Sequence, residues 1–419
     1  GVEGSVVWKQ YHFANCRRHD YGNHRPMRYL LALLIWIPAA VALAVPAEVY
    51  VDPSINANSG SGTSGSPYGD LQYALNNINH AAAGCRINVK AGTAEVVTTN
   101  ALSLTTYVAT NGVAGATEPL IIEGYTTTAG DGGIGEIQGT TNSLAVWGGT
   151  DSQDVDYMTW KNMKLTGAQA SGYAVTVDNQ CVFINVELIS NHGGIDIDQG
   201  NIDHCKISYV DSGGVLGAFG AVALTNSYLV QTSGALVGAA QGCTPVIGNI
   251  FNVRSATDAN IGVLASSSGV ASVFTNNSIL ANLSSGASSA NAIRVTTTSA
   301  IVANNYCEGF NSSGDEAIDV SSAGVSTILA NNAFFNNTAN ITDAGLNTIT
   351  IGSTSSLAAS GVTSASGADF TPTADLKGTG YPTGFLQLSG NATDPNIGAI
   401  ETTGGGNTID PLTGTIPGL

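Results

Sequence analysis

One short phrase occurs eight times between Trp160 and Phe334: an apolar residue, a spacer, a small polar residue, two spacers, and a second apolar residue. The polar anchors are Asn162, Asn185, His204, Asn226, Gly248, Asn276, Asn304 and Asn331, spaced 23, 19, 22, 22, 28, 28 and 27 residues apart. Two places before them stand Trp160, Phe183, Ile202, Leu224, Val246, Phe274, Val302 and Leu329. Three places after them stand Leu165, Leu188, Ile207, Leu229, Phe251, Ile279, Cys307 and Phe334. A strand-like unit repeating at this interval implies a solenoid, in which each unit buries its apolar face only by stacking on its neighbours.

The apolar residues alternate in Met158–Asn162, which is strand periodicity, and a second strand follows in most repeats, as in Val175–Val177, Ile195–Ile197, Ile293–Val295 and Ile318–Val320. Stretches long enough for βαβ units are missing, and Asn-Gly hairpin signals are scarce. A parallel β-helix satisfies both facts, with rungs about 4.8 Å apart so that like residues form columns. The anchors then mark a corner, because Asn tolerates a left-handed backbone and Gly adopts it freely. Stacked anchor amides are expected to hydrogen-bond from rung to rung as an asparagine ladder.

The ends of the chain differ from this body. Residues 1–26, with Cys16, Arg17, Arg18 and three histidines, share nothing with the rest of the chain and are set aside as an upstream segment. Residues 27–44 resemble a secretory signal: Arg28, an apolar run from Tyr29 to Ile37, and Ala42-Leu43-Ala44, with cleavage expected after Ala44 or else Ala47. The run is short for a membrane span and Pro38 interrupts it, so no stable membrane insertion is expected after cleavage. Residues 45–150 are assigned to the N-terminal cap and first rungs, 151–345 to regular rungs, 346–403 to the last rung and cap, and 404–419 to a tail. An exported protein, secreted, at the cell surface or in the periplasm, is the expectation.

Thirty acidic residues stand against thirteen basic ones. Two of the acids and five of the bases precede Val45, which leaves 28 against eight and a net charge of about −20. Nucleic acid is excluded as an expected partner, because phosphate binding draws on Lys and Arg. Five cysteines lie beyond the signal: Cys85, Cys181, Cys205, Cys243 and Cys307. The odd number leaves at least one thiol unpaired, Cys307 falls in a core column, and a Cys181–Cys205 disulfide is left open.

On these residues the chain resembles the right-handed parallel β-helix proteins of the pectin-lyase-like superfamily. The opening Val49-Tyr50-Val51-Asp52-Pro53, then Gly62-Thr63-Ser64 and Pro67-Tyr68, is similar to the entry of many secreted members. So is Leu71–Leu75, read as a short capping helix. Asp369-Phe370 and Asp394–Glu401 resemble their C-terminal finish. The resemblance implies an all-β right-handed solenoid with a capping helix and an irregular C-terminal cap.

Chemistry is sought among His192, Asp196, Asp198, Asp203, His204 and Asp211. Aligning Val175–Asp178 with Ile195–Asp198 sets Asp178 beside Asp198, and two carboxylates about 5 Å apart repel unless a cation lies between them. Asp178, Asp196, Asp198 and Asp203 are therefore candidate calcium ligands, and the resemblance implies that polysaccharide lyases use such a face. His192, Lys206 and His204 are the candidate acid–base groups, His192 the freer because His204 occupies an anchor. Arg294 aligns four rungs from Asp196, too far to share a reacting centre, and is expected to pair with Asp319. Lys164, Glu187 and Lys206 share a column and read as a charge ladder. The galacturonan-hydrolase pattern is missing: Asn191-His192-Gly193-Gly194 is present, but no Asp-Asp pair or Arg-Ile-Lys. Two readings result: an exported β-helix that binds carbohydrate or acts as a surface, adhesin-like protein, and a calcium-dependent polysaccharide lyase on acidic glycans. In both, the partner is a polysaccharide or cell-surface glycan.

Overall fold

The computed structural model describes residues 48–55, 58–78, 86–98, 102, 120–140, 146–147, 158–167, 171–177, 180–210, 213–232, 238–254, 262–266, 270–282, 290–296, 299–321, 326–345, 347–352, 355–364, 369–373 and 376. The upstream segment, the signal segment, Cys85, Asp178, Asp211 and the tail lie outside them. Among the described residues no helix is long and apolar enough to cross a membrane.

Short parallel strands coil into three stacked sheets. The first runs up to the anchor in each rung and includes Glu48–Val51, Arg86–Lys90, Leu120–Tyr125, Cys243–Ile247, Ser272–Thr275, Ala300–Ala303, Thr327–Ala330 and Ile349–Ile351. The second follows the anchor and includes Glu95–Val97, Gly135–Gly139, Lys206–Tyr209, Tyr228–Gln231, Ile250–Arg254 and Tyr306–Glu308. The third includes Tyr173–Val177, Gly262–Ala265, Asn291–Val295, Glu316–Val320 and Ala339–Asp343. Met158–Gly167 and Cys181–Ser190 bend through the corner and serve both the first and second sheets. Gly193–Asp203 and Val215–Thr225 join the third to the first. The fold is the expected parallel β-helix.

Both core columns fall in the expected register. Trp160 pairs with Phe183, then Ile202, Leu224, Val246, Phe274, Val302 and Leu329 in succession, all facing inward and buried. Trp160 and Phe183 stack with ring centroids 6.4 Å apart and planes 1° from parallel. The other column runs Ile137, Leu165, Leu188, Ile207, Leu229, Phe251, Ile279, Cys307 and Phe334.

The corner between them has a single cause. Every anchor has positive φ, from 49° at Asn226 to 69° at Gly248, which is the left-handed region that Asn and Gly enter at least cost. The asparagine ladder itself lies one residue later than expected, which corrects the assignment of stacked amides to the anchors. Among the anchors, Asn185 Nδ2 does donate to Asn162 Oδ1 at 2.8 Å, but Asn226 Nδ2 donates instead to Asp203 Oδ1. The continuous ladder is Asn249, Asn277, Asn305 and Asn332, none of them exposed. Asn249 donates through both N–H and Nδ2 to Asn277 Oδ1, Asn277 likewise to Asn305, and Asn305 to Asn332, at 2.9–3.1 Å. Each Nδ2 also donates at 2.9 Å to a carbonyl one rung back: Leu224, Val246, Phe274 and Val302. The left-handed turn swings the following N–H away from the strand ladder, and the inward amide replaces the lost partner, as buried backbone groups require. Ser227 Oγ accepts from Cys205 N–H and extends the row where Asn is absent.

The helix Leu71–Asn77 covers the N-terminal end, capped by the Asp70 side chain, which accepts from Tyr73 N–H. Beneath it one residue breaks the apolar column: Glu95 pairs with Ile137 and is 7% exposed. Its carboxylate accepts from Leu71 N–H, and burial, followed by the charge of Asp70, pushes its pKa up to about 7.

The C-terminal segment folds back over the outside of the coil. Val362–Ser364 and Asp369–Pro372 pair antiparallel, and Val362, Phe370 and Leu376 bury Tyr228, Ile250, Leu280, Tyr306 and Ala333 on the outer face of the second sheet. Gly361 N–H donates to Tyr306 Oη at 2.7 Å, Ser360 Oγ donates to Glu308 Oε2 at 2.8 Å, and Tyr306 Oη donates to the same carboxylate oxygen. Cys181, Cys205, Cys243 and Cys307 are buried thiols with no disulfide among them. The open Cys181–Cys205 pairing is therefore not made.

Two outcomes test this account. Truncating Asn305 to Ala strips acceptors or donors from Asn277 and Phe274 together and is expected to cost about 2–4 kcal/mol, against about 1 kcal/mol for Asn304→Ala at the corner, measured by denaturant unfolding. Glu95 carries a raised pKa in the folded state, so the fold binds more protons than the unfolded chain between the ordinary 4.5 and about 7. Stability of the wild type relative to Glu95→Gln should fall by up to about 3 kcal/mol as pH rises through that window, then level off.

Candidate functional site

The residues singled out for chemistry fall on all three sheets. Asp196 lies on the third sheet, where Thr176, Asp196 and Leu216 are in register. Asp198 follows two places on, so alternation points both carboxylates outward. Both are half-buried. Burial first, then the charge of Asp198, raises the pKa of Asp196 above the usual carboxylate range. Tyr173 neighbours Asp196, and burial followed by the charge of Asp196 pushes its phenol up to about 12. Tyr209 is fully buried, its hydroxyl has no hydrogen-bond partner among the described residues, and burial followed by Tyr173 raises its pKa further. His192 Nδ1 lies 3.1 Å from the Gly172 carbonyl oxygen.

Asp203 and His204 lie at the corner of the first sheet. His204 Nδ1 is 2.7 Å from Asp203 Oδ2, while Thr225 Oγ1 and Asn226 Nδ2 donate to Asp203 Oδ1 at 2.6 and 3.0 Å. Burial works to raise the pKa of Asp203, but these hydrogen bonds outweigh it and hold the group below the usual range. Lys206 lies beyond the corner on the second sheet and binds Glu187 at 2.8 Å. Lys164 binds Glu136 at 2.8 Å, which adds Glu136 to the charge ladder of Lys164, Glu187 and Lys206.

Among the described residues, no three His, Cys, Asp or Glu side chains are grouped so as to hold a metal ion, and Asp178 lies outside them. Asp196 and Asp198 are neighbours, whereas Asp203 is committed to His204, Thr225 and Asn226 on another sheet. Arg294 lies four rungs from Asp196, through Leu216, Gln241 and Ala265, and its Nε is 3.3 Å from Asp319 Oδ2. The same commitment extends to each Lys and Arg with a described side chain. Arg86 and Lys161 bind Glu123, Lys90 binds Asp52, and Lys164, Lys206 and Arg294 pair as above.

Sequence reasoning missed Tyr173 and Glu95. Tyr173 lies two residues before the recognised strand Val175–Val177, and its pairing with Gly193 was visible in the same alignment that matched Asp196. Glu95 is visible when Glu95-Val96-Val97 is aligned with Ile137-Gln138-Gly139.

No protein-family model matches the chain, and the search of curated proteins found no match. Four chains of known structure match. One is a GH136 lacto-N-biosidase from Eubacterium ramulus, as its selenomethionine derivative, with 10% identity and a TM-score of 0.36 over 74% of this chain and 67% of that one. So distant a likeness carries neither the fold nor the activity of that enzyme to this chain.

The corner network predicts a pH signature. The depressed pKa of Asp203 contributes stability above the ordinary carboxylate range, lost as pH falls below it. Asp203→Asn should cost about 1–3 kcal/mol at neutral pH, and the difference from wild type should shrink in acid unfolding between about pH 5 and pH 2.

Proposed function

We propose that this protein is exported and binds carbohydrate along the flank of its β-helix, as a surface or adhesin-like protein. The pairing of each Lys and Arg that has a described side chain with a carboxylate supports this most strongly. Abstracting a proton beside a uronate carboxylate calls for one group to hold that carboxylate and another to take the proton. Lys206 and His204 are instead held by Glu187 and Asp203. The flank still offers outward hydrogen-bonding groups on two adjacent rungs: Tyr173 on one, and His192, Asp196 and Asp198 on the next. Such groups suit hydroxyl-rich ligands, and the long parallel scaffold holds them on rigid strands. Export rests on the segment 27–44.

The second reading is a calcium-dependent lyase on acidic glycans, favoured by the register Val177 to Ile197. In sequence Asp178 follows Val177 as Asp198 follows Ile197, and an ion held by these carboxylates would offset the charge of Asp198 that, after burial, raises the pKa of Asp196. In this reading Asp178, Asp196 and Asp198 bind calcium, and His192 is the acid–base group.

A glycan array with the full chain tests the first reading. Binding without turnover is expected, weakened about tenfold by Asp196→Asn or Tyr173→Ala. Calcium-dependent release of unsaturated uronides, followed in the ultraviolet, would establish the second reading instead.

A further inference from the structure

Glu95 heads the column that is apolar in each rung from Ile137 to Phe334. An acid in an otherwise apolar column contradicts the pattern that builds the fold, and such exceptions concentrate at functional sites. Glu95 also lines an open cleft of about 370 Å³, together with Pro53, Ile55, Asn58, Asp70, Thr93 and Val96.

Helix capping accounts for only part of this arrangement. Among the described residues Glu95 accepts a hydrogen bond from Leu71 N–H. An ionised carboxylate has about four acceptor sites, and one that is 7% exposed has little access to water to fill the rest. A buried acceptor with unused capacity, facing a cleft, suits a ligand that brings donors. Asp70 adds a second carboxylate, while Asn58 and Thr93 add an amide and a hydroxyl. Among the described residues no Lys, Arg or His lines the cleft, so a uronate, sulfate or phosphate would meet two acidic side chains with no compensating cation beside them. At the rim Ile55 is 37% and Val96 48% exposed, which gives an apolar surface for the C–H face of a ring. The volume lies toward the small end of ligand sites, about 300–1,000 Å³.

We propose that the cleft beneath the N-terminal helix binds a neutral sugar unit of mono- or disaccharide size, with Glu95 and Asp70 accepting from its hydroxyls and Ile55 and Val96 packing on its ring. This site lies apart from the flank, and its ligand class is neutral where a lyase would need an acidic one. It stands or falls separately from the flank reading.

The test is calorimetric titration of the full chain with neutral gluco-, manno- and galacto-oligosaccharides and with matched uronate oligosaccharides. At least one neutral series should bind. Glu95→Gln keeps the size of the side chain and an acceptor for Leu71 N–H, and removing a buried charge leaves it at least as stable at neutral pH, so lost binding is not lost folding. It should weaken neutral-sugar binding about tenfold or more. Val96→Arg, on an exposed strand position, should do the same by covering the rim. The proposal is overturned if no neutral series binds, if both cleft variants bind as wild type does, or if the uronates are the ligands lost with Glu95→Gln.

Discussion

The structure depends on a left-handed corner and the buried amide behind it. Each rung must change direction between the first and second sheets while its neighbours do so in register. The anchor makes the turn at φ near 50°, and that turn takes the next N–H out of the strand ladder. The row Asn249, Asn277, Asn305, Asn332 restores the lost bond inside the coil. Because each amide bonds both the next rung and a carbonyl one rung back, the ladder fixes rung spacing and register together. A one-residue slip would turn the apolar columns outward, and the ladder opposes that slip at a buried polar site, where an unmade hydrogen bond is costly.

Registration of this kind makes columns, and columns decide the electrostatics. In a chain with a large excess of acid, the few cations find carboxylates one rung away: Lys206 with Glu187, Lys164 with Glu136, Arg294 with Asp319. These partly exposed pairs add little stability each. Their consequence is chemical, because they take up the groups that proton transfer on an acidic sugar would use. What the rungs leave exposed on the flank is a set of hydroxyls, amides and carboxylates, and Glu95, a buried acid in an otherwise apolar column, lies at the N-terminal end.

Much of the fold was legible because the apolar residues around each anchor recur at fixed offsets, which a coil with 4.8 Å rungs demands. Arg294 opposite Asp319 and Lys206 opposite Glu187 followed from the same alignment. The ladder was misplaced by one residue, since both members of the doublets Asn276-Asn277, Asn304-Asn305 and Asn331-Asn332 are asparagine. Only the geometry separates the residue that bends from the residue that bonds. Composition cannot say that Asp203 turns to its own corner while Asp196 points outward from the third sheet, because the strand Gly193–Asp203 passes from one sheet to the next between them. Glu95 escaped notice because its rung precedes the regular repeats, where the phrase is hardest to align.

Amide hydrogen exchange on the full chain, read residue by residue, tests the corner ladder most directly. The N–H groups of Asn249, Asn277 and Asn305 lie outside the strands, yet they should exchange as slowly as Phe251, Ile279 and Cys307 beside them. Exchange at those three positions at the rate of exposed turns would contradict the ladder as the element that holds the coil in register.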